Sequence, residues 1–354
     1  MPHCCTHHGN RTAFRAGTEH WMNSADWKGA FSAVPLSFEL LSARWSATAD
    51  ALTWNSPFVL PPWLENWWSA FGTGQDLLLW EIRDGDRLLG IAPLRVEGET
   101  ARFIGDVDVC DYQDFIVNPG QDCAFFSALL QLLSRQGIRR LDLGLVRPDS
   151  LTMRALPAVA GALGNEVLRI EEDVSFEMTL PPTWEAYLSE LSGKERHEIH
   201  RKLRRLHRGS AHRLEILEAP RDVECAMDEF LRLFRLSRPE KGEFLTEARE
   251  RFLRLVVQAL AEHRLVKLCF LEIGDARAAS ALCFDYNASI YLYNSGLDPG
   301  YRHLSVGLLC KLLTLRRSIE DGRRVYDFLK GAETYKRRLG ARPVPLYRCR
   351  LSLG

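Results

Sequence analysis

The sequence predicts an α/β protein built from two similar units, with a basic helical segment between them. Three observations carry this. The chain has 354 residues, and domains usually run to roughly 100–200 residues, so two are expected. A helix–glycine–strand step recurs, at Gly137 and at Gly322, with an Asp five residues beyond each glycine (Asp142 and Asp327). A Gly-Asp turn opening a strand of small and apolar residues recurs upstream, at Gly85 and at Gly274. The interval from Gly85 to Gly274 is nearly the same as that from Gly137 to Gly322, so both similarities share one offset. A repeat of this kind sets the architecture of the whole chain.

From the N-terminus, residues 1–30 read as a disordered tail, with Met22 as an alternative start. His3, Cys4, Cys5, His7 and His8 cluster there, but structural zinc sites use two well-separated ligand pairs and no second pair follows. No metal is implied. Residues 31–180 form the first unit. Trp63, Trp67, Trp68 and Phe71 have helical spacing and read as core. Gly85 marks a hairpin, and Phe125, Phe126, Leu129, Leu130, Leu132 and Leu133 form the apolar stripe of a helix closed by Gly137. Pro181-Pro182 ends this unit.

Residues 181–354 form the second unit. It opens with Ser192–Arg213, which holds eight Lys or Arg against two Glu. Ile199, Leu203 and Leu206 give that segment one apolar edge, so it reads as a helix with a wide basic face. A solvated helix and a phosphate-binding helix both fit. A strand follows at Ile290–Asn294, then the turn-rich loop Ser295–Gly300, then Tyr301–Gly307 opening a long apolar helix. Strand, Gly/Ser loop and helix N-terminus together make an anion site, because unpaired backbone N–H groups and the helix dipole face the loop. The returning strand Val325–Leu329 leads into Lys330–Gly340.

Composition narrows the function classes. Hydrophobic residues make up 46% and charged residues 26%, which excludes a disordered or collagen-like chain. Lys plus Arg and Asp plus Glu are 46 each, so no global field favours nucleic acid. The nine cysteines suggest no disulfide framework, and Cys110, Cys269 and Cys283 read as small buried hydrophobes. No apolar run approaches the ~18 residues of a membrane span. A soluble protein of a reducing compartment, cytoplasmic, is expected. Oligomeric state is not legible.

Arg302-x-x-Ser305-x-Gly307 resembles the Arg/Gln-x-x-Gly-x-Gly/Ala pyrophosphate loop of the GNAT acetyltransferases, departing from it at Ser305, where the family has its first glycine. A wider set follows in order: Ser56-Pro57-Phe58, Trp63-Leu64, Trp67-Trp68, Asp111-Tyr112-Gln113-Asp114, the Lys194/Arg196/Arg201/Arg204 helix, and Asp327-Phe328-Leu329-Lys330-Gly331-x-Glu333-x-Tyr335-Lys336. Together these resemble the CelD/BcsL-type branch of GNAT proteins, which is similar to the FemABX aminoacyl transferases with their two GNAT-like units in tandem.

The resemblance implies tandem GNAT-like units with mixed sheets, and acyl-CoA (acetyl-CoA) as co-substrate. Arg302, Ser305, Val306 and Gly307 then hold the pyrophosphate, and the acceptor is a small molecule or glycan bearing an amine or hydroxyl. Tyr335 lies near where such enzymes place the Tyr that protonates the leaving thiolate. Glu333, then Asp327, are the candidate general bases, and either alternatively caps a helix or holds an Arg. Lys336 and Lys330 are candidate anchors for phosphate or oxyanion. Asp111, Tyr112, Asp114 and Asp285 are expected to line an acceptor groove between the two units, with turn-forming Asp as the alternative. Two further readings stay open: transfer from aminoacyl-tRNA, with the basic helix on RNA phosphates, and a degenerate GNAT pair that only binds.

Overall fold

The computed structural model describes residues 31–47, 52–209 and 211–353. The N-terminal His/Cys cluster lies outside these residues. In chain order the elements are β1 (Phe31–Pro35), α1 (Phe38–Ser46), α2 (Pro61–Phe71), β2 (Asp76–Asp84), β3 (Arg87–Glu97), β4 (Thr100–Phe103), β5 (Ile116–Val117), α3 (Asp122–Arg135), β6 (Arg140–Val146), α4 (Leu151–Ala162) and β7 (Val167–Thr179). There follow α5 (Trp184–Glu190), α6 (Gly193–Gly209), β8 (His212–Leu217), α7 (Pro220–Ser237), α8 (Pro239–Phe244), α9 (Glu247–Glu262), β9 (Val266–Ile273), β10 (Ala276–Tyr286), β11 (Ser289–Leu297), α10 (Val306–Glu320), β12 (Val325–Lys330), α11 (Thr334–Arg338) and β13 (Arg342–Ser352). This is the expected α/β class with mixed sheets.

Two compact units divide the chain. Of the described residues, the first holds those up to Leu64, Gly72–Asp173 and those from Pro345 onward; the second holds Glu65–Phe71 and Val174–Val344. The division therefore falls within β7 and β13 rather than at Pro181-Pro182, and the last residues of the chain pack with the first unit.

In the first unit the strand order is β1-β2-β3-β4-β6-β13, with β5 paired to β3. All neighbours are antiparallel except β4 and β6. In the second unit the order is β8-β9-β10-β11-β12-β7, again antiparallel except for β11 and β12. The hydrogen-bond register repeats as well. Thr100 faces Arg140 and Ala101 faces Leu141 in one unit; Ser289 faces Val325 and Ile290 faces Tyr326 in the other. The interval from Thr100 to Ser289 equals that from Gly85 to Gly274, and the interval from Arg140 to Val325 equals that from Gly137 to Gly322. Gly137 and Gly322 both adopt positive φ, +77° and +69°, where each long helix ends. The recurring Asp142 and Asp327 stand at equivalent positions of β6 and β12.

β10 reads as a near-continuous apolar run because helices cover it on both faces, α10 on one side and α7 on the other. The basic segment is a helix, α6, with Ile199 and Leu206 buried along its apolar edge. Trp63 and Trp67 are core, as are Cys110, Cys269 and Cys283. One boundary differs from expectation. The strand expected to stop at Asn294 continues to Leu297, because Ala279, Ser280 and Ala281 of β10 go on pairing with it.

Candidate functional site

β11 and β12 are parallel neighbours for only three rows, Ser289–Tyr291 against Val325–Asp327. Beyond Tyr291, β11 runs on to Leu297 with β10 on one side and, among the described residues, no strand on the other. β12 turns away through a bulge in its pairing with β7 between Asp327 and Lys330, with Leu329 at φ +59°. The Asp327 carboxylate holds that bulge by accepting a hydrogen bond from the Leu329 N–H at 2.8 Å, and the side chain is buried. This gives Asp327 a structural task.

The gap leads to the start of α10. Asp298 accepts from the Gly300 N–H at 2.9 Å and begins a 3-10 turn, Pro299–Leu304. Ser305 then takes the left-handed conformation, φ +60° and ψ 35°, and caps α10 with its carbonyl, which accepts from the N–H groups of Leu308 and Leu309. The first amides of a helix have no intrahelical partner, so those of Val306 and Gly307 face outward at a positive dipole end. Lys202 of α6 donates to the Ser305 hydroxyl at 2.7 Å, which brings the basic helix to this point.

A cavity of about 290 Å³ opens here, lined by Arg238, Lys241, Ser295, Gly296, Arg302, Ser305, Val306, Gly307, Lys311, Glu333 and Tyr335 among others. Two glycines shape it. At Gly296 a Cβ would stand 2.4 Å from the Leu233 carbonyl carbon and 2.5 Å from the Phe234 nitrogen, so only glycine lets β11 lie against α7. At Gly307 a Cβ would stand 2.6 Å from Leu297 Cδ2. There the missing side chain makes room for β11 itself, as well as for anything bound beside it.

Charge around the cavity is one-sided. Arg238, Lys241, Arg302 and Lys311 all line it, and none of the four forms an ion pair among the described residues. Three of them rest on backbone carbonyls instead. Arg302 donates to Ser237 at 3.2 Å, Lys311 to Gly307 at 3.2 Å, and Lys241 to Ser295, with its ammonium 4.5 Å from the Phe234 ring centre. Burial, then repulsion from Lys311 and Arg238, pulls the Lys241 ammonium down to about 7. Burial also lowers Lys311. The Tyr335 hydroxyl is driven far up by burial, with the Glu333 charge adding to it, so it keeps its proton.

Glu333 is the cavity's one carboxylate, and it is engaged. Its Oε2 lies 3.0 Å from the Lys336 ammonium, and although burial opposes this, Lys336 holds the Glu333 carboxyl below its usual range. That makes it a weak base. Lys336 is itself 2% exposed and donates to the carbonyls of Leu329 (2.9 Å), Lys330 (2.6 Å) and Gly331 (2.9 Å). An ammonium has three protons, and all three are spent on folding the loop between β12 and α11. The expected phosphate or oxyanion role leaves this side chain no free donor. Lys330 contributes its carbonyl to that knot and is not among the residues lining the cavity.

The residues expected to line the acceptor groove have these surroundings. Asp285 is at the far end of β10, where its register partner is Ile290, about 20 Å along the strand pair from Leu297 at ~3.3 Å per residue. It pairs with Arg323 at 2.8 Å and Lys267 at 3.5 Å. Asp114, buried in the first unit, accepts from the N–H groups of Leu151 (2.8 Å) and Thr152 (3.1 Å) and from the Thr152 hydroxyl (2.7 Å). It caps α4. Tyr112 packs edge-on to Phe58 with Arg147 over its ring, and Asp111 is buried beside it in the chain.

Lys241, Lys311, Arg238 and the packing task of Gly296 were missed by sequence reasoning. Lys311 carried a usable signal: it stands alone in the apolar run Leu308–Leu313, four residues after Gly307 and so on the same helix face.

Residues 193–337 match the family model of an acetyltransferase (GNAT) domain, a stretch containing every residue that lines the cavity. No curated protein matches the chain in sequence. Among solved structures it is similar to FemX, at 12% identity over 90% of this chain and 96% of that one, with a TM-score of 0.59. It is also similar to a conserved protein of Bacteroides thetaiotaomicron VPI-5482 (11%, 92% and 100%, 0.57) and to L-PGS from Bacillus licheniformis (12%, 81% and 90%, 0.51). At these identities the likeness is one of fold.

Proposed function

We propose that this protein is an acyltransferase that takes an acyl group from acyl-CoA and passes it to an amine or hydroxyl, with the donor bound in the second unit. One observation carries the reading. The amides opening α10, the cations Arg238, Arg302 and Lys311, which have no carboxylate partner among the described residues, and the edge of β11 that β12 leaves unpaired all meet in one cavity. Pyrophosphate suits the first two features. An amide-bearing arm suits the third, because a strand without a neighbour offers N–H and C=O groups at regular spacing.

In this reading Arg302 and the amides of Val306 and Gly307 hold the phosphates, Ser305 sets the turn that presents them, and Arg238 adds charge at the rim. Lys311 stands one helical turn further in, where a carbonyl developing negative charge would meet it. Tyr335, protonated throughout the physiological range, gives its proton to the departing thiolate. Glu333 and Lys336 fold the loop that presents Tyr335. The CelD/BcsL-type resemblance makes a polysaccharide or cell-envelope precursor the proposed acceptor, with the reaction in the cytoplasm. Among the described residues no helix is long and apolar enough to cross a membrane.

A second reading is transfer from aminoacyl-tRNA, favoured by α6, where Lys194, Arg201, Arg204, Arg205 and Arg208 are all exposed, and by the FemX-like fold. Calorimetry with acetyl-CoA, longer acyl-CoAs and bulk tRNA separates the two. Acyl-CoA binding that Lys311→Met weakens about tenfold or more supports the first, on the scale of a charged hydrogen bond. Binding of tRNA alone, falling steeply with salt, supports the second.

A further inference from the structure

The cavity holds an amine that the transfer reaction above does not use. Lys241 projects from α8, flanked by the Phe234 ring and the Ser295 carbonyl. Ser295 belongs to the stretch of β11 that β12 leaves unpaired. A donor with its phosphates on the α10 amides and its arm along that edge brings its thioester past Ser295, and therefore past Lys241.

The charged and titratable groups facing Lys241 from the elements around it are Arg238 at the start of α8, Arg302 on the 3-10 turn, Lys311 on α10, and Glu333 and Tyr335 at α11. The single anion among them is committed to Lys336. The Ser295 carbonyl, the Phe234 ring face and the Glu333 charge favour an ammonium at Lys241, but burial and the neighbouring Lys311 and Arg238 outweigh them, and with a proton affinity near pH 7 a large share of the side chain is free amine under ordinary conditions. A free amine held against a thioester is a nucleophile.

We propose that Lys241 is a self-acylation site, modified by the acyl thioester bound in its own cavity when no acceptor takes the acyl group. The inference rests on the acyl-CoA reading. The Lys241 nitrogen attacks the thioester carbonyl carbon; the C–N bond forms and the C–S bond breaks. Sulfur leaves with the bonding pair as thiolate. The nitrogen sheds one proton and the thiolate gains one, through the Tyr335 hydroxyl or water. The products are an amide on Lys241 and free CoA thiol, with no further reactant needed. The amide removes one positive charge and fills part of a 290 Å³ cavity, so modification shuts the site against further donor when acceptor runs short.

The test uses the full-length protein and acetyl-CoA with no acceptor, followed by peptide mass spectrometry over the eight lysines. Lys241 should be acetylated at least about 50-fold faster than the exposed Lys194, because binding raises the local donor concentration. Its rate should climb with pH and level off above about 7–8, while Lys194 keeps climbing toward the ordinary lysine range of about 10. Gly307→Val, which removes the donor seat, should bring Lys241 down to the rate of Lys194 with acetyl-CoA, yet leave its reaction with acetic anhydride unchanged. Lys241→Arg should abolish the adduct and still bind acetyl-CoA in calorimetry. If acetyl-CoA binds and Lys241 stays unmodified, or Gly307→Val modifies it as fast as wild type, the proposal is overturned while the donor reading stands. If no acyl-CoA binds, both fall.

Discussion

The two units repeat one design and fill its centre in opposite ways. α3 and α10 end on equivalent glycines, so counting back from Gly137 and Gly322 sets Phe126 of the first unit against Lys311 of the second. β5 continues the path of β4 after an insertion: Val117 pairs with Gly90, as Leu297 pairs with Ala279, and Ile116 with Ile91, as Gly296 with Ser280. Phe115 therefore stands where the second unit has Ser295. In the first unit Phe103, Phe115, Phe125 and Phe126 stack with ring centres 4.9–5.4 Å apart, each at most 3% exposed. In the second unit the corresponding space is lined by Ser295, Lys311 and Lys241. One copy used the gap for a core; the other kept it open and charged. The helix starts differ in the same sense, because α3 begins with Asp122, an anion at the end that would repel phosphate, and α10 begins with Val306-Gly307.

The largest expected effects come from forcing one unit's solution on the other. Phe126→Lys should lower stability by at least about 3–5 kcal/mol, the usual loss for a buried aromatic, with an unpaired buried charge adding to it. A urea unfolding midpoint reads this, and a midpoint near that of wild type would mean that the aromatic cluster is not the core it resembles. The converse, Lys311→Phe, should leave the fold intact and fill the cavity, removing acetyl-CoA binding at least about 100-fold, or ~2.7 kcal/mol. Retained binding would place the donor outside this cavity.

Arg302→Ala comes next. Its guanidinium rests on one carbonyl and has no carboxylate partner, so removing it should spare folding and weaken acetyl-CoA binding by about 1.5–3 kcal/mol, the range for a hydrogen bond to a charged group. Equal binding by calorimetry would move the phosphates off the 3-10 turn.

How much of this was legible depends on sequence distance. The duplication was readable because its markers are local: a glycine after an apolar helix, an Asp five residues later, a Gly-Asp turn. The loop Arg302–Gly307 was readable for the same reason. The cavity's other half was not. Lys241 and Lys311 meet only because α7 and α8 fold back over β11, and that approach rests on Gly296, which reads as one more loop glycine when the strand is taken to end at Asn294. The acidic residues follow another rule. Asp114, Asp285 and Asp327 have side chains that suit a site in type, but their partners, a helix N-terminus, two cations and a bulge amide, are satisfied within the fold. Lys336 is the same case in reverse, a cation that binds its own backbone.

The smallest expected effect concerns the left-handed residue at the approach to each helix. Gly120 and Ser305 are equivalent by the same offset as Gly137 and Gly322, and both take the left-handed conformation, φ +76° and +60°. Glycine adopts it without strain, whereas a residue with a Cβ is disfavoured there by roughly 1–2 kcal/mol. Ser305 regains part of that through the Lys202 hydrogen bond to its hydroxyl, which falls to about 1 kcal/mol, below the usual range for a charged donor, because Lys202 is partly exposed and also pairs with Glu198. The two terms nearly cancel, so Ser305→Gly should change stability by less than about 1 kcal/mol, toward stabilisation. It should also leave acetyl-CoA affinity within about twofold, since the amides of Val306 and Gly307 stay where they are. Gly120→Ser has no such compensation: an added Cβ there meets nothing within 4 Å, so the strain should appear undiluted as a loss of about 1 kcal/mol. Thermal unfolding of the two single variants and the double, with calorimetry on Ser305→Gly, reads both effects. A large loss of affinity in Ser305→Gly would mean that the serine hydroxyl contacts the donor directly, and that the departure from the glycine pattern is part of how this site recognises it.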